Sequence, residues 1–183
     1  MAKVVILIGS PSAKSRLNGV VDRIASRLGT SDLEVSVISV RDLPAEDLLL
    51  ANFGSEAIQA ANKVVAEADA VVIATPVYKA SFPGVLKAYI DLLPQKGLEN
   101  KIVLPIAIGG TIAHLLSIDF AMKPVLSTMA PRNILAGVFV IDSQVTWNDD
   151  GTATLAEEIA SRVDGAIDLL VQEVHWQTSK VQA

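Results

Sequence analysis

The sequence predicts an α/β fold in which a parallel sheet is covered by helices on both faces. Short apolar runs rich in β-branched residues alternate along the chain with segments of helical periodicity. Gly, Ser, Thr and Pro gather at the ends of those runs, where a strand would hand over to a helix. No repeat, low-complexity stretch or composition shift divides the 183 residues, of which 51% are hydrophobic. That predicts one domain over residues 1–176 and a polar tail over 177–183.

The elements follow in order. Val4 to Ile8 is a β-branched run stopped by Gly9-Ser10-Pro11, which predicts a buried first strand and a loop. Leu17, Val20, Val21, Ile24, Ala25 and Leu28 recur at helical spacing, with Ser15 placed as N-cap. Leu33 to Val40 alternates apolar and polar residues, as an edge strand with one wet face does. Arg41 to Ser55 is a long connection with some helical turns, and Ile58 to Ala66 is the second helix. Ala70 to Ala74 is the third strand, and Phe82 to Leu93 forms an apolar helical face closed by Pro94. Lys101 to Ile108 is the fourth strand, followed by a helix to about Met129. Ile134 to Ile141 is the fifth strand, and Leu155 to about Val174 is the last helix. Five strands alternating with helices predict right-handed crossovers. They match a flavodoxin-like three-layer sandwich, a five-stranded parallel sheet in order 2-1-3-4-5.

Composition excludes several classes of function. The formal net charge is −5, and no Lys/Arg-rich stripe marks a nucleic-acid surface. The chain has no cysteine, which rules out disulfides and thiolate sites and agrees with a cytoplasmic location. The apolar run near the N-terminus is too short for a signal peptide, and none reaches the roughly 18 residues of a membrane helix. Two distant histidines offer no metal-ligand spacing. The string Ile8-Gly9-Ser10-Pro11-Ser12 lacks the Gly-x-Ser-x-Gly elbow of serine hydrolases.

In an open parallel sheet, ligands bind beyond the carboxyl ends of the strands. That rule selects three loops. The first, Gly9 to Arg16, brings the hydroxyls of Ser10, Ser12 and Ser15 and the Arg16 guanidinium to a helix N-terminus, where a phosphate is favoured. An ordinary capped turn with a solvated arginine is the alternative. The loop carries neither a Walker A nor a Gly-x-Gly-x-x-Gly pattern. The second loop is Thr75 to Ser81. Pro76 stiffens its start and Tyr78 can lie beside a flat heterocycle, whereas Lys79 reads most simply as a solvated lysine. The third is Gly109-Gly110-Thr111 with His114 one turn later. Its glycines let the backbone approach a planar ligand, and His114 either bonds to a polar ring edge or is satisfied by packing.

The strings Gly-Ser-Pro-Ser-Ala-Lys-Ser-Arg (9–16), Ala-Thr-Pro-Val-Tyr-Lys-Ala-Ser-Phe (74–82), Gly-Gly-Thr-Ile-Ala-His-Leu-Leu (109–116), Asp-Phe-Ala-Met-Lys-Pro-Val-Leu (119–126) and Gly-Val-Phe-Val-Ile-Asp-Ser-Gln-Val (137–145) resemble, in order and spacing, the NAD(P)H-dependent FMN reductases. The branch that serves alkanesulfonate assimilation is most similar. The resemblance implies that Ser10, Ser15 and Arg16 hold the FMN phosphate, with Ser12 and Leu17 also binding the cofactor. It implies that Pro76, Val77, Tyr78, Lys79 and Ser81 form the second flavin loop, and that Gly109, Gly110, Thr111 and His114 lie at the isoalloxazine ring. NADPH or NADH would pass a hydride directly to flavin N5, with no side chain as acid or base. The reduced flavin would go to a two-component monooxygenase. Phe120 departs from the sulfonate branch, which commonly has tyrosine there. The resemblance puts that position in a helix with a widened turn, near the flavin and a subunit interface, and ties it to flavin release. It also implies a homodimer or homotetramer. An FMN-retaining quinone or azo reductase and a flavodoxin-type electron carrier are the other readings.

Overall fold

The computed structural model describes residues 1–181. The chain runs β1 (Ala2–Ile8), α1 (Leu17–Gly29), β2 (Leu33–Ser39), α2 (Ala45–Leu49), α3 (Glu56–Glu67), β3 (Ala70–Pro76), α4 (Gly84–Ile90), β4 (Ile102–Gly109), α5 (Lys123–Ser127), β5 (Asn133–Ile134), β6 (Val138–Ile141), β7 (Val145–Trp147), β8 (Ala153–Leu155) and α6 (Glu157–Val181). The main sheet is parallel, in order β2-β1-β3-β4-β5, with β6 also pairing with β4. This is the flavodoxin-like order, with β2 at one edge.

Strand periodicity decides which helix covers which face. Val4, Ile6, Val72, Leu104 and Ile106 point into a core shared with α1 and α6, through Leu17, Val20, Ile24, Ile159, Val163 and Ile167. Val5, Leu7, Val71, Ile73 and Val103 face the other way, onto Ile58, Val65, Leu86, Tyr89 and Leu126 from α3, α4 and α5. Bidentate pairs of Arg23 with Asp164 and Arg27 with Asp168 align α1 with α6. They are half-exposed, so their contribution is small beside the apolar contacts beneath them.

Four segments differ from the sequence expectation. The fifth strand is broken into β5 and β6, because Gly137 at φ +86° turns the chain between them. The expected helix after β4 starts instead as a separate 3₁₀ turn (Ile112–His114), then passes through a π turn (Ile118–Met122), the widened turn expected at Phe120, into α5. Pro124, which has no N–H to donate, enters at the start of α5 and limits any continuous ladder. The antiparallel hairpin β7–β8 was not expected at all. Finally, α6 continues through residue 177 to Val181 where a polar tail was expected. Gln177 is buried and donates to the Asn100 carbonyl at 2.7 Å, and Lys180 lies 4.3 Å from the Trp176 ring. Residues 182–183 of the expected tail lie outside the described residues.

Three surface carboxylates titrate below their ordinary range. Asp47 is held down by the Ser55 and Asn52 side chains, Glu67 by the Lys3 ammonium and Asp150 by Thr152. The unfolded chain therefore binds these protons more readily, so the stability they supply is present above the ordinary values of 3.8 and 4.5 and lost as pH falls through the depressed ones. Urea midpoints measured from pH 6 down to pH 2 are expected to fall steadily across the acid end. A flat profile there would refute the assignment.

Candidate active site

The carboxyl ends of β1, β3, β4 and β6 surround a cavity of about 400 Å³, a size suited to a small-molecule ligand. The first wall is the β1–α1 loop. Its hydroxyls bind the loop to itself. The buried Ser10 Oγ donates to the Ser12 carbonyl and accepts from the Ser12 N–H. Ser12 Oγ accepts from Lys14 N–H, and Ser15 Oγ accepts from Leu17 N–H. Helix α1 then begins with Arg16 in the N-cap position, no side-chain cap from it, and no acidic residue in the first turn. Lys14 and Arg16 are exposed and line the cavity, and neither has an acidic partner among the described residues. A positive helix end, two free cations and two hydroxyls on one wall suit a multiply charged anion such as a phosphate.

The second wall follows β3. Val77 N–H donates to the Ile108 carbonyl at 2.8 Å, which extends the sheet by one bond. Tyr78 and Ser81 then exchange both backbone bonds across a two-residue turn. Lys79 and Ala80 have φ of +52° and +62°, in the left-handed region that such turns normally fill with Asn and Gly. Two non-glycine residues there cost about 1–2 kcal/mol each. The turn is thereby strained, and it aims the half-exposed Tyr78 at the cavity.

The third wall is Gly109-Gly110. A Cβ at Gly109 would come within 3.1 Å of Phe139 Cζ and 3.5 Å of Val77 Cβ, so the backbone here packs tightly against Phe139. At Gly110 the nearest atom would be Asp142 Oδ2 at 3.9 Å, so its open side leaves room for a ligand to approach the backbone. Asp142 completes this wall, and Trp147, on the hairpin packed against α1, closes the cavity from the Ser12 side. The residues fit a phosphorylated planar ring: cations and hydroxyls at one end, a bare backbone at the other, and the Tyr78 ring on the wall between.

Residues 2–146 match the family model described as NADPH-dependent FMN reductase. The chain belongs to this family. A protein of Pseudomonas putida named FMN reductase (NADPH) is 46% identical over 167 residues, covering 90% of this chain and 84% of the relative. One of Escherichia coli with the same name is 40% identical over 179 residues, 98% of this chain and 93% of the relative. A solved structure titled as the apo form of an NADH:FMN oxidoreductase superposes with a TM-score of 0.85 at 33% identity, covering 94% of this chain and 90% of the other.

The FMN reductase fold gathers Ser12, Ser15, Arg16, Pro76, Val77, Tyr78, Gly109 and Gly110 around one cavity. Six expected residues stand off that wall. Ser10 is buried as a brace for the loop, and Leu17 is fully buried in the core beneath α1. Lys79 and Ser81 build the strained turn behind Tyr78. Thr111 heads the 3₁₀ turn without a side-chain cap, and His114 is half-buried at its end. Ser15 caps only Leu17 N–H, one residue earlier than an N-cap at the helix start.

Lys14, Ile108, Asp142 and Trp147 line the cavity without having been selected. Lys14 lay inside the first loop, and Asp142 follows a strand end that the same topological rule covers. Trp147 rides on the β7–β8 hairpin, which only the Asn148-Asp149-Asp150-Gly151 string announces. That hairpin docks on α1 at Gly19, where an added Cβ would lie 2.3 Å from Ala153 Cβ. Gly19→Ala is expected to push the hairpin outward and lower stability by about 2 kcal/mol. A thermal melt like that of the unsubstituted chain would refute the docking role.

No helix among the described residues is long and apolar enough to cross a membrane. Leu86, Tyr89, Ile90, Leu92 and Leu93 are core, as are Ile118, Met122 and Leu126, whereas Ile112, Leu115, Leu116 and Phe120 are exposed.

Proposed function

We propose that the chain uses NAD(P)H to reduce FMN that enters and leaves, and supplies the reduced flavin to a two-component alkanesulfonate monooxygenase in the cytoplasm. The observation that carries the reading is the convergence of two unpaired cations at the α1 N-terminus and the bare Gly109-Gly110 backbone on one cavity. When bound, FMN supplies a ring nitrogen that takes a hydride from the nicotinamide.

The chain's own work is binding and alignment. Arg16, Lys14, Ser12 and Ser15 hold the phosphate, and Ser10 keeps their loop in shape. Pro76, Val77 and Tyr78 bound one side of the ring site, with Lys79 and Ser81 fixing the turn behind Tyr78. Gly109 and Gly110 bound the other, with Thr111 and His114 in the turn that follows. Holding two rings in contact supplies the rate, and no acid–base pair is needed. The relatives' names cite NADPH and the solved structure's title cites NADH, which supports a nicotinamide donor of either kind. Phe120 is exposed on the π turn, and with the exposed Ile112, Leu115 and Leu116 it offers the apolar surface through which we expect two or four copies to assemble and FMN release to be tuned.

Steady-state NADPH oxidation tests the reading, first with free FMN and then with a quinone. Saturation by free FMN, release of the flavin on gel filtration, and sulfite production once an alkanesulfonate monooxygenase and its substrate are added are the expected results. Turnover with quinone alone while flavin stays bound would favour a flavin-retaining quinone reductase. No NADPH oxidation in either case would leave an electron carrier.

A further inference from the structure

Among the described residues, Asp142 supplies the only carboxylate of the cavity wall. It opens the turn after β6, is half-buried, and makes neither an ion pair nor a side-chain hydrogen bond among those residues. Gln144, two residues on, turns its Oε1 back to the Ile141 N–H and leaves the carboxylate free. The cations lie at the opposite end. Arg16 and Lys14 follow β1, and the sheet runs β1-β3-β4 to β6 before Asp142 is reached. Three inter-strand steps span about 14 Å. The cavity thus has a positive end and a negative end, and a phosphate drawn to the first directs the rest of its molecule toward the second.

We infer that Asp142 expels the reduced flavin by charge repulsion, an inference that rests on the FMN reductase reading. The charges change as follows. A C–H bond breaks on the nicotinamide and an N–H bond forms on the flavin. One proton and two electrons move together, so the nicotinamide ring becomes cationic and the flavin ring anionic. The phosphate keeps its charge throughout, so Arg16 and Lys14 hold oxidised and reduced FMN alike. The carboxylate faces a neutral ring before transfer and a negative one after it. Its repulsion is therefore selective for the product, and at the separations within one cavity it is worth about tenfold in affinity.

The test compares Asp142→Asn and Asp142→Glu in the full chain. Each is titrated with oxidised FMN and, under anaerobic conditions, with reduced FMN, and the midpoint potential of the bound flavin is measured. Asp142→Asn is expected to keep the affinity for oxidised FMN and to bind reduced FMN about tenfold more tightly, which raises the two-electron potential by about 30 mV. Asp142→Glu is expected to keep the original ratio of affinities. An unchanged ratio in Asp142→Asn would overturn the inference. So would a parallel loss of both affinities, which marks a plain hydrogen-bonding role. Failure of the unsubstituted chain to bind oxidised FMN would instead overturn the reading beneath it.

Discussion

Arg16→Ala is expected to weaken FMN binding by about 1.5–3 kcal/mol, roughly 10- to 150-fold in Kd, and to leave the fold intact. The guanidinium is exposed and has no acidic partner among the described residues, so folding loses little when it goes. Its value lies in charge-assisted bonds to a phosphate at the N-terminus of α1, where no acidic side chain competes in the first turn. The site is open to solvent, so the loss should shrink as salt rises. Arg16→Lys is expected to recover part of it as a point charge without the fork. Fluorescence titration at two ionic strengths measures both effects. An unchanged Kd for Arg16→Ala at low salt would remove the phosphate from this loop.

Gly137→Ala is expected to cost about 3 kcal/mol, and so to lower Tm by roughly 10 °C for a chain of this size. Two effects add. The backbone has φ of +86°, which an L side chain resists. A Cβ there would also lie 2.6 Å from the Pro105 carbonyl oxygen and 3.0 Å from its ring. Pro105 belongs to β4 in the middle of the sheet and cannot move aside, unlike the Ala153 hairpin that faces Gly19. Calorimetry of the variant checks the figure, and a shift under a few degrees would show that the strand break tolerates a side chain.

These two positions also mark what could be read from the chain alone. The strands were legible because β3 and β4 are buried on both faces and so read as unbroken apolar runs. The wetter β2 alternates, as an edge does. The three loops followed from topology, since a parallel order fixes which ends face the ligand. The division of labour within each loop did not follow. Ser10 and Ser12 are both serines after a strand, yet one is buried and the other lines the cavity. Only the turn geometry separates them. Asp142 was missed although the strand end before it was legible, because the rule was applied to β1, β3 and β4 alone; Trp147 was missed because β7 is short and the hairpin's polar turn resembles any surface loop. The widened turn around Phe120 came from the family resemblance alone, and the 3₁₀ turn ahead of it was hidden, because a change of hydrogen-bond register leaves no periodic signature.

The interruption at Gly137 has a further result for the chain in a crowded solution. A sheet that is not closed leaves an outer strand whose free N–H and C=O groups can template a stranger's strand. Here that margin is cut into runs of two residues, Asn133–Ile134, and four, Val138–Ile141, with the chain redirected between them. An intruding strand finds no straight row of partners, so the kink guards against aggregation along that side.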